Sequence, residues 1–162
     1  MNPESNPSLL KNTVNSIRGK YDSPIISVTE KSVKTQPFKE MNEICPTCKG
    51  KETYTSLINA GMKNPPAEWN FIVIAGSYIR HKLDNKYSMF MESEKDILFP
   101  IVENKYNFVD ATINGLLLHK KCLKEIGPMA EIGPFEICKL MWALEAIEKG
   151  YKFKAILGAK LC

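Results

Sequence analysis

An α+β domain is the class this sequence predicts, built on an antiparallel sheet of about four or five strands with a C-terminal helix. Three observations point there. From residue 68 onward, short apolar and β-branched runs alternate with turn residues, the mark of a small sheet. The stretch between Pro134 and Gly150 is helical in composition. Finally, Cys45 and Cys48 on one side of the strand-rich region, and His119 and Cys122 at its end, form two pairs suited to a metal brace.

The elements follow in order. Residues 1–22 hold Asn, Ser, Pro and Lys with few large apolar side chains, and read as a flexible N-terminal arm with a short helical turn at SLLKNTVNSI. Residues 23–162 then form a single zinc-stabilised domain. SPIISVTEKSV (23–33) is β-branched enough for a strand. KETYTSLINAGMKNPP predicts a short helix ending near Gly61 and stopped by Pro65 and Pro66. EWNFIVIAGSYIRHKL (68–83) begins as a buried strand, with Gly76 as a bulge or bend. LDNK is a turn signal, and YSMFMES reads as the returning strand. DILFPIVENKYNFVDATI suggests two more strands around ENK, with Pro100 favouring an edge or a bulge. Near the end, Pro134 suits the first turn of a helix over FEICKLMWALEAIEKG, and Gly150 suits its C-terminal cap. Phe135, Cys138, Met141, Trp142 and Ile147 share a face of that helix and should pack on the sheet. YKFKAILGAKLC adds a short strand or a last turn.

Composition bounds the function. At 162 residues and 44% hydrophobic content, the chain suits one compact domain. No window approaches the roughly 20 apolar residues of a membrane helix, and the N-terminus lacks a signal core, so an intracellular location, cytoplasmic or nuclear, is expected. Thiols would then be reduced, and five cysteines do not read as a disulfide ladder. The net charge is +4, and of 22 basic residues only Arg18 and Arg80 are arginine. Lysine supplies diffuse attraction to polyanions but lacks the planar fork that reads guanine and clamps phosphate.

The metal pairs rest on local geometry. Cys-x-x-Cys on a tight turn, favoured by Pro46 and Gly50, places two thiolates at a separation that tetrahedral zinc accepts. At the first turn of a helix, positions i and i+3 share a face, so His119 and Cys122 can converge on one ion. Three thiolates and one imidazole would close a structural Zn2+ site. Seventy residues separate Cys48 from His119. Loop-closure entropy grows only logarithmically, about 0.6 kcal/mol per doubling, so folded sequence between the pairs is tolerable. The competing reading is a redox pair or free thiols with a surface histidine. Cys138, Cys162 or His81 could also replace a ligand, although Cys138 suits a small core position.

LLLHKKCLKE resembles the His-x-x-Cys helix start of LIM and RING domains, and CPTC resembles their first ligand pair. The resemblance covers about twenty residues and implies a treble-clef-like zinc site with ligands Cys45, Cys48, His119 and Cys122. No further Cys pair follows Cys122, so the second ligand set of those domains is missing and ubiquitin-ligase activity is not implied.

Enzyme signatures are sparse. A zinc deaminase needs His-x-Glu, a metalloprotease needs His-Glu-x-x-His, and neither occurs; nor does a Gly-rich phosphate loop. Asp110 is the most site-like carboxylate, but a turn or cap acid at a strand end is the preferred reading. The expected function is therefore a non-enzymatic zinc-binding regulatory or adaptor protein. Lys49, Lys51, Lys120, Lys121 and Lys124, with Arg80, His81 and Lys82, could gather near the zinc, joined by Tyr54, Tyr78 and Tyr87, to meet DNA or RNA. A protein–protein interaction module or inhibitor without nucleic-acid binding is the alternative, and a zinc-braced nuclease-like enzyme the second.

Overall fold

The computed structural model describes residues 7–21, 25–28, 42–44, 53–74, 76–78, 84–101 and 113–156. In chain order these form α1 (Pro7–Arg18), β1 (Ile26–Val28), β2 (Asn42–Ile44), α2 (Tyr54–Met62), β3 (Trp69–Ile72) and α3 (Asp84–Ser88). There follow β4 (Asp96–Pro100), β5 (Leu116–His119), α4 (Lys120–Ile126), α5 (Phe135–Glu148) and β6 (Lys152–Ile156). The class is α+β as expected, with a four-stranded sheet and a C-terminal helix.

The sheet is mixed rather than antiparallel. Its order is β3-β5-β4-β6; β5 runs antiparallel to both neighbours, and β4 pairs β6 in parallel. The expected hairpin return at YSMFMES is the point of departure. Asp84–Ser88 are helical, and Phe90 and Met91 donate their backbone N–H to the Tyr87 and Ser88 carbonyls. With that hairpin gone, β3 and β4 lie apart in the sheet and β5 inserts between them. The chain then crosses through α4 and α5 and re-enters beside β4 in β4's own direction. β1 and β2 form a separate parallel pair.

Both faces of the main sheet are covered. Ile97, Phe99, Leu116 and Leu118 turn towards α4 and α5, joining Cys122, Leu123, Ile126, Cys138, Trp142 and Ala146. Leu98 and Ile156 turn the other way, towards Tyr87 of α3, with Ile17 of α1 and Tyr21 packed there. Two-sided burial explains why ILF and LLL are unbroken apolar runs instead of alternating ones. Pro100 fits inside β4 because β5 pairs only with Ile97 and Leu98. Ile101 donates to Ile156 across β6, so alternation aims the nitrogen of Pro100 to the side where pairing has already ended.

Local chemistry accounts for the helix ends. Thr53 and Ser56 form a reciprocal capping box at 3.0 and 3.1 Å that starts α2. Gly150 takes a left-handed φ of 82°, which lets its own N–H reach the Ile147 carbonyl and that of Tyr151 reach Ala146, closing α5. α1 is longer than a helical turn, and it is tied down: Thr13 donates to the Ser77 carbonyl at 2.8 Å and accepts from the Gly76 N–H at 2.9 Å. Among the described residues, no helix is long and apolar enough to cross a membrane.

Candidate functional site

Cys45 and Cys48 lie outside the described residues, as do Arg80, His81, Asp110 and Cys162 and the lysines 49, 51 and 82. His119 and Cys122 can be followed. β5 delivers His119 to the start of α4, where its extended backbone makes it the N-cap. Its Nδ1 accepts the Lys121 backbone N–H at 3.2 Å, so the proton of the neutral ring sits on Nε2. That nitrogen lies 3.8 Å from Glu94 Oε1, and the ring stands edge-on to Trp69 at 5.2 Å between centroids.

Cys122, one turn further, points into the core and is fully buried. Burial, followed by the nearby Glu125 carboxylate, pushes its thiol up to about 12. That is the reverse of an activated nucleophile, whose thiolate needs cationic or polar support. Glu125 also accepts the Tyr151 hydroxyl at 2.8 Å, which together with burial raises the phenol.

As placed, the two described residues do not present a free ligand pair. A metal at His119 would have to take the capping lone pair from Nδ1 or displace the Nε2 proton, and Cys122 would have to ionise inside the core. Among the described residues, no three His, Cys, Asp or Glu side chains are grouped to hold a metal ion.

Of the lysines of the expected basic patch, Lys120, Lys121 and Lys124 are described, and the first two lie against acids. Lys120 lies 3.3 Å from Glu68 and Lys121 3.1 Å from Glu94, whose carboxyl Lys121 holds below its usual range. Outside that patch, Lys149 pairs with Glu145, and Lys154 with Glu92 and Asp96. Polyanion attraction from this surface is correspondingly reduced.

A different surface stands out on α5. The face packed on the body is Cys138, Lys139, Trp142, Ala143 and Ala146. Trp142 donates its indole N–H to the Gly127 carbonyl at 3.0 Å, and the buried Lys139 ammonium lies 2.8 Å from Glu136. The opposite face is apolar too. Ile137, Met141, Leu144 and Ile147 are 47%, 45%, 53% and 56% exposed, and Leu140 lies half-buried among them.

Met141 and Ile147, expected on the packed face with Phe135, Cys138 and Trp142, are therefore on the solvent side. Apolar residues occur all round this helix, so periodicity alone does not say which face packs. The overlooked signal was the excess itself: α5 has more large apolar side chains than one interface uses. Set against known proteins, the sequence matches no family and no curated relative.

Proposed function

We propose that this chain is a non-enzymatic interaction module, an adaptor whose contact surface is the outer face of α5. The observation that carries the reading is a helix with two apolar sides, only one of which is packed. A helix with one side in water normally turns charged or polar residues outward, whereas one apolar all round is normally buried. Covering five partly exposed side chains would stabilise a complex by about 1 kcal/mol each, before the costs of association. A photoreactive residue at position 144 should give a discrete intermolecular adduct that disappears on Ile137→Lys. The same group at position 124, on α4, should give none. Equal adducts at both positions, or no adduct at 144, would sink the reading. Binding to random DNA or RNA that weakens steeply with salt would instead favour a nucleic-acid partner.

A structural zinc is the second reading. It is supported by the Cys45/Cys48 spacing and by the location of His119 and Cys122 one turn apart at a helix start. Metal analysis of purified protein should find one equivalent of zinc, lost in both Cys45→Ser and Cys122→Ser. Metal-free wild-type protein would remove the brace, and zinc unchanged by either substitution would remove that ligand.

A further inference from the structure

β5 begins in a turn that carries a chemical liability. Leu116 donates its backbone N–H to the Ile113 carbonyl at 3.1 Å, so Asn114 and Gly115 are the central residues of a β-turn. Gly115 takes a left-handed φ of 86°, which is why glycine stands there. The same missing Cβ leaves the Gly115 nitrogen unshielded beside the side-chain amide that precedes it. Asn114 is the one asparagine of the sequence followed by glycine.

The reaction open to such a pair is deamidation, and its only co-reactant is water. The Gly115 nitrogen attacks Asn114 Cγ and forms an N–C bond. The Cγ–Nδ2 bond breaks, and Nδ2 leaves as ammonia with the proton released by the Gly115 nitrogen. Water then opens the five-membered imide at either carbonyl, giving aspartate or isoaspartate.

The fold withholds each atom that this reaction needs. Asn114 Oδ1 accepts the Ile74 N–H at 2.9 Å, and Nδ2 donates to Ser77 Oγ at 2.7 Å. The Ile74 nitrogen can only donate, which fixes the amide atom that faces it. Gly115 donates its N–H to the Ile72 carbonyl at 2.7 Å, so the nucleophile is held as well. To react, the side chain must swing back over its own backbone and break both of its bonds. Ser77 is itself pinned, because the buried Thr13 of α1 donates to its carbonyl and accepts the Gly76 N–H. A continuous clamp thus runs from α1 through Gly76 and Ser77 to the start of β5.

From this arrangement we infer that Asn114–Gly115 is a covalent modification site, a deamidation switch that the docked α1 and the segment bearing Ile74 and Ser77 hold off, and that local opening releases. The step is one-way once ammonia has left. Isoaspartate routes the main chain through the side chain and adds one backbone atom inside the turn. Gly115 would then fall out of register with Ile72, and with the Tyr87 hydroxyl that donates to its carbonyl at 2.7 Å. β5 is paired on both sides, so the change reaches β3 and β4 together.

Peptide mapping by mass spectrometry on the full chain, incubated in mildly alkaline buffer, tests this. In concentrated urea, Asn114 should convert to aspartate and isoaspartate faster than the other asparagines. In the folded wild type its conversion should be slower on the order of a hundredfold, since three hydrogen bonds must open first. Ser77→Ala removes one of them and should raise the folded rate about fivefold. Thr13→Val unpins Gly76 and Ser77, should act in the same direction, and serves if Ser77→Ala does not fold. Trp142→Phe removes the bond to Gly127 on the α5 side of the sheet and should leave the rate unchanged.

Folded wild type that converts at the urea rate would overturn the inference, as would another asparagine reacting first in urea. So would equal acceleration in Trp142→Phe and the clamp variants, which would make global unfolding the cause. A folded rate indifferent to both Ser77→Ala and Thr13→Val would remove the clamp, and the inference with it.

Discussion

Asp96 shows how one side chain can organise a turn and a strand together. It is almost fully buried at the start of β4, and its Oδ2 accepts the Glu92 and Ser93 backbone N–H groups at 2.8 Å and the Lys154 ammonium at 3.1 Å. Burial alone would raise this carboxyl, but the two backbone donors and Lys154 together outweigh it and hold the group below its usual range. In the unfolded chain it should titrate near its ordinary value of about 3.9. A lowered folded value means that the stabilisation is complete above the unfolded pKa and is lost as pH falls through the folded one. Asp96→Asn should flatten the acid side of the stability profile and cost roughly 1–3 kcal/mol at neutral pH. Urea unfolding across about pH 2 to 6 checks both, and an unchanged acid slope would count against this role. None of this was legible beforehand. A lone aspartate after Lys95 has no local pattern, and Lys154, 58 positions away, arrives only through the pairing of β4 with β6.

At the scale of elements, the start of α4 was the most readable part of the chain. The apolar run, the histidine and the helix-compatible stretch came out as β5, an N-cap and α4 in that order. What His119 does there is capping by Nδ1, where a metal ligand had been expected from the spacing. His119→Ala should lose the cap and the edge contact with Trp69, costing about 1 kcal/mol for the cap alone. His119→Asn keeps an acceptor at the N-cap and should recover the capping part. Denaturation midpoints of the two variants check this, and equal losses would rule the cap out.

Other elements were less legible for stated reasons. Tyr87 and its neighbours read as a strand because they alternate, yet the Tyr87 hydroxyl donates to the Gly115 carbonyl at 2.7 Å from a short helix. That acceptor is 28 residues away, and a long-range partner outweighs weak local β preference. α5 was bounded well by Pro134 and Gly150, since caps are local chemistry. Its facing was not, since facing depends on what it meets.

At the scale of the whole molecule, helices lie on both sides of a mixed sheet, and among the described residues the outer face of α5 keeps Ile137, Met141, Leu144 and Ile147 exposed. If a partner covers that face, adding it should raise the thermal midpoint of the wild type and leave that of Leu144→Lys unchanged, by mass action. The class of the fold, the boundaries of α2 and α5 and the order of strand and helix on either side of His119 were written in residues that act on their near neighbours. Strand order, the parallel pairing of β4 with β6, the two-sided burial of the sheet and the outward face of α5 were decided elsewhere. They depend on contacts between apolar side chains far apart in the chain. Hydrophobic burial is not directional, so one apolar run fits many partners equally until the folded geometry selects among them.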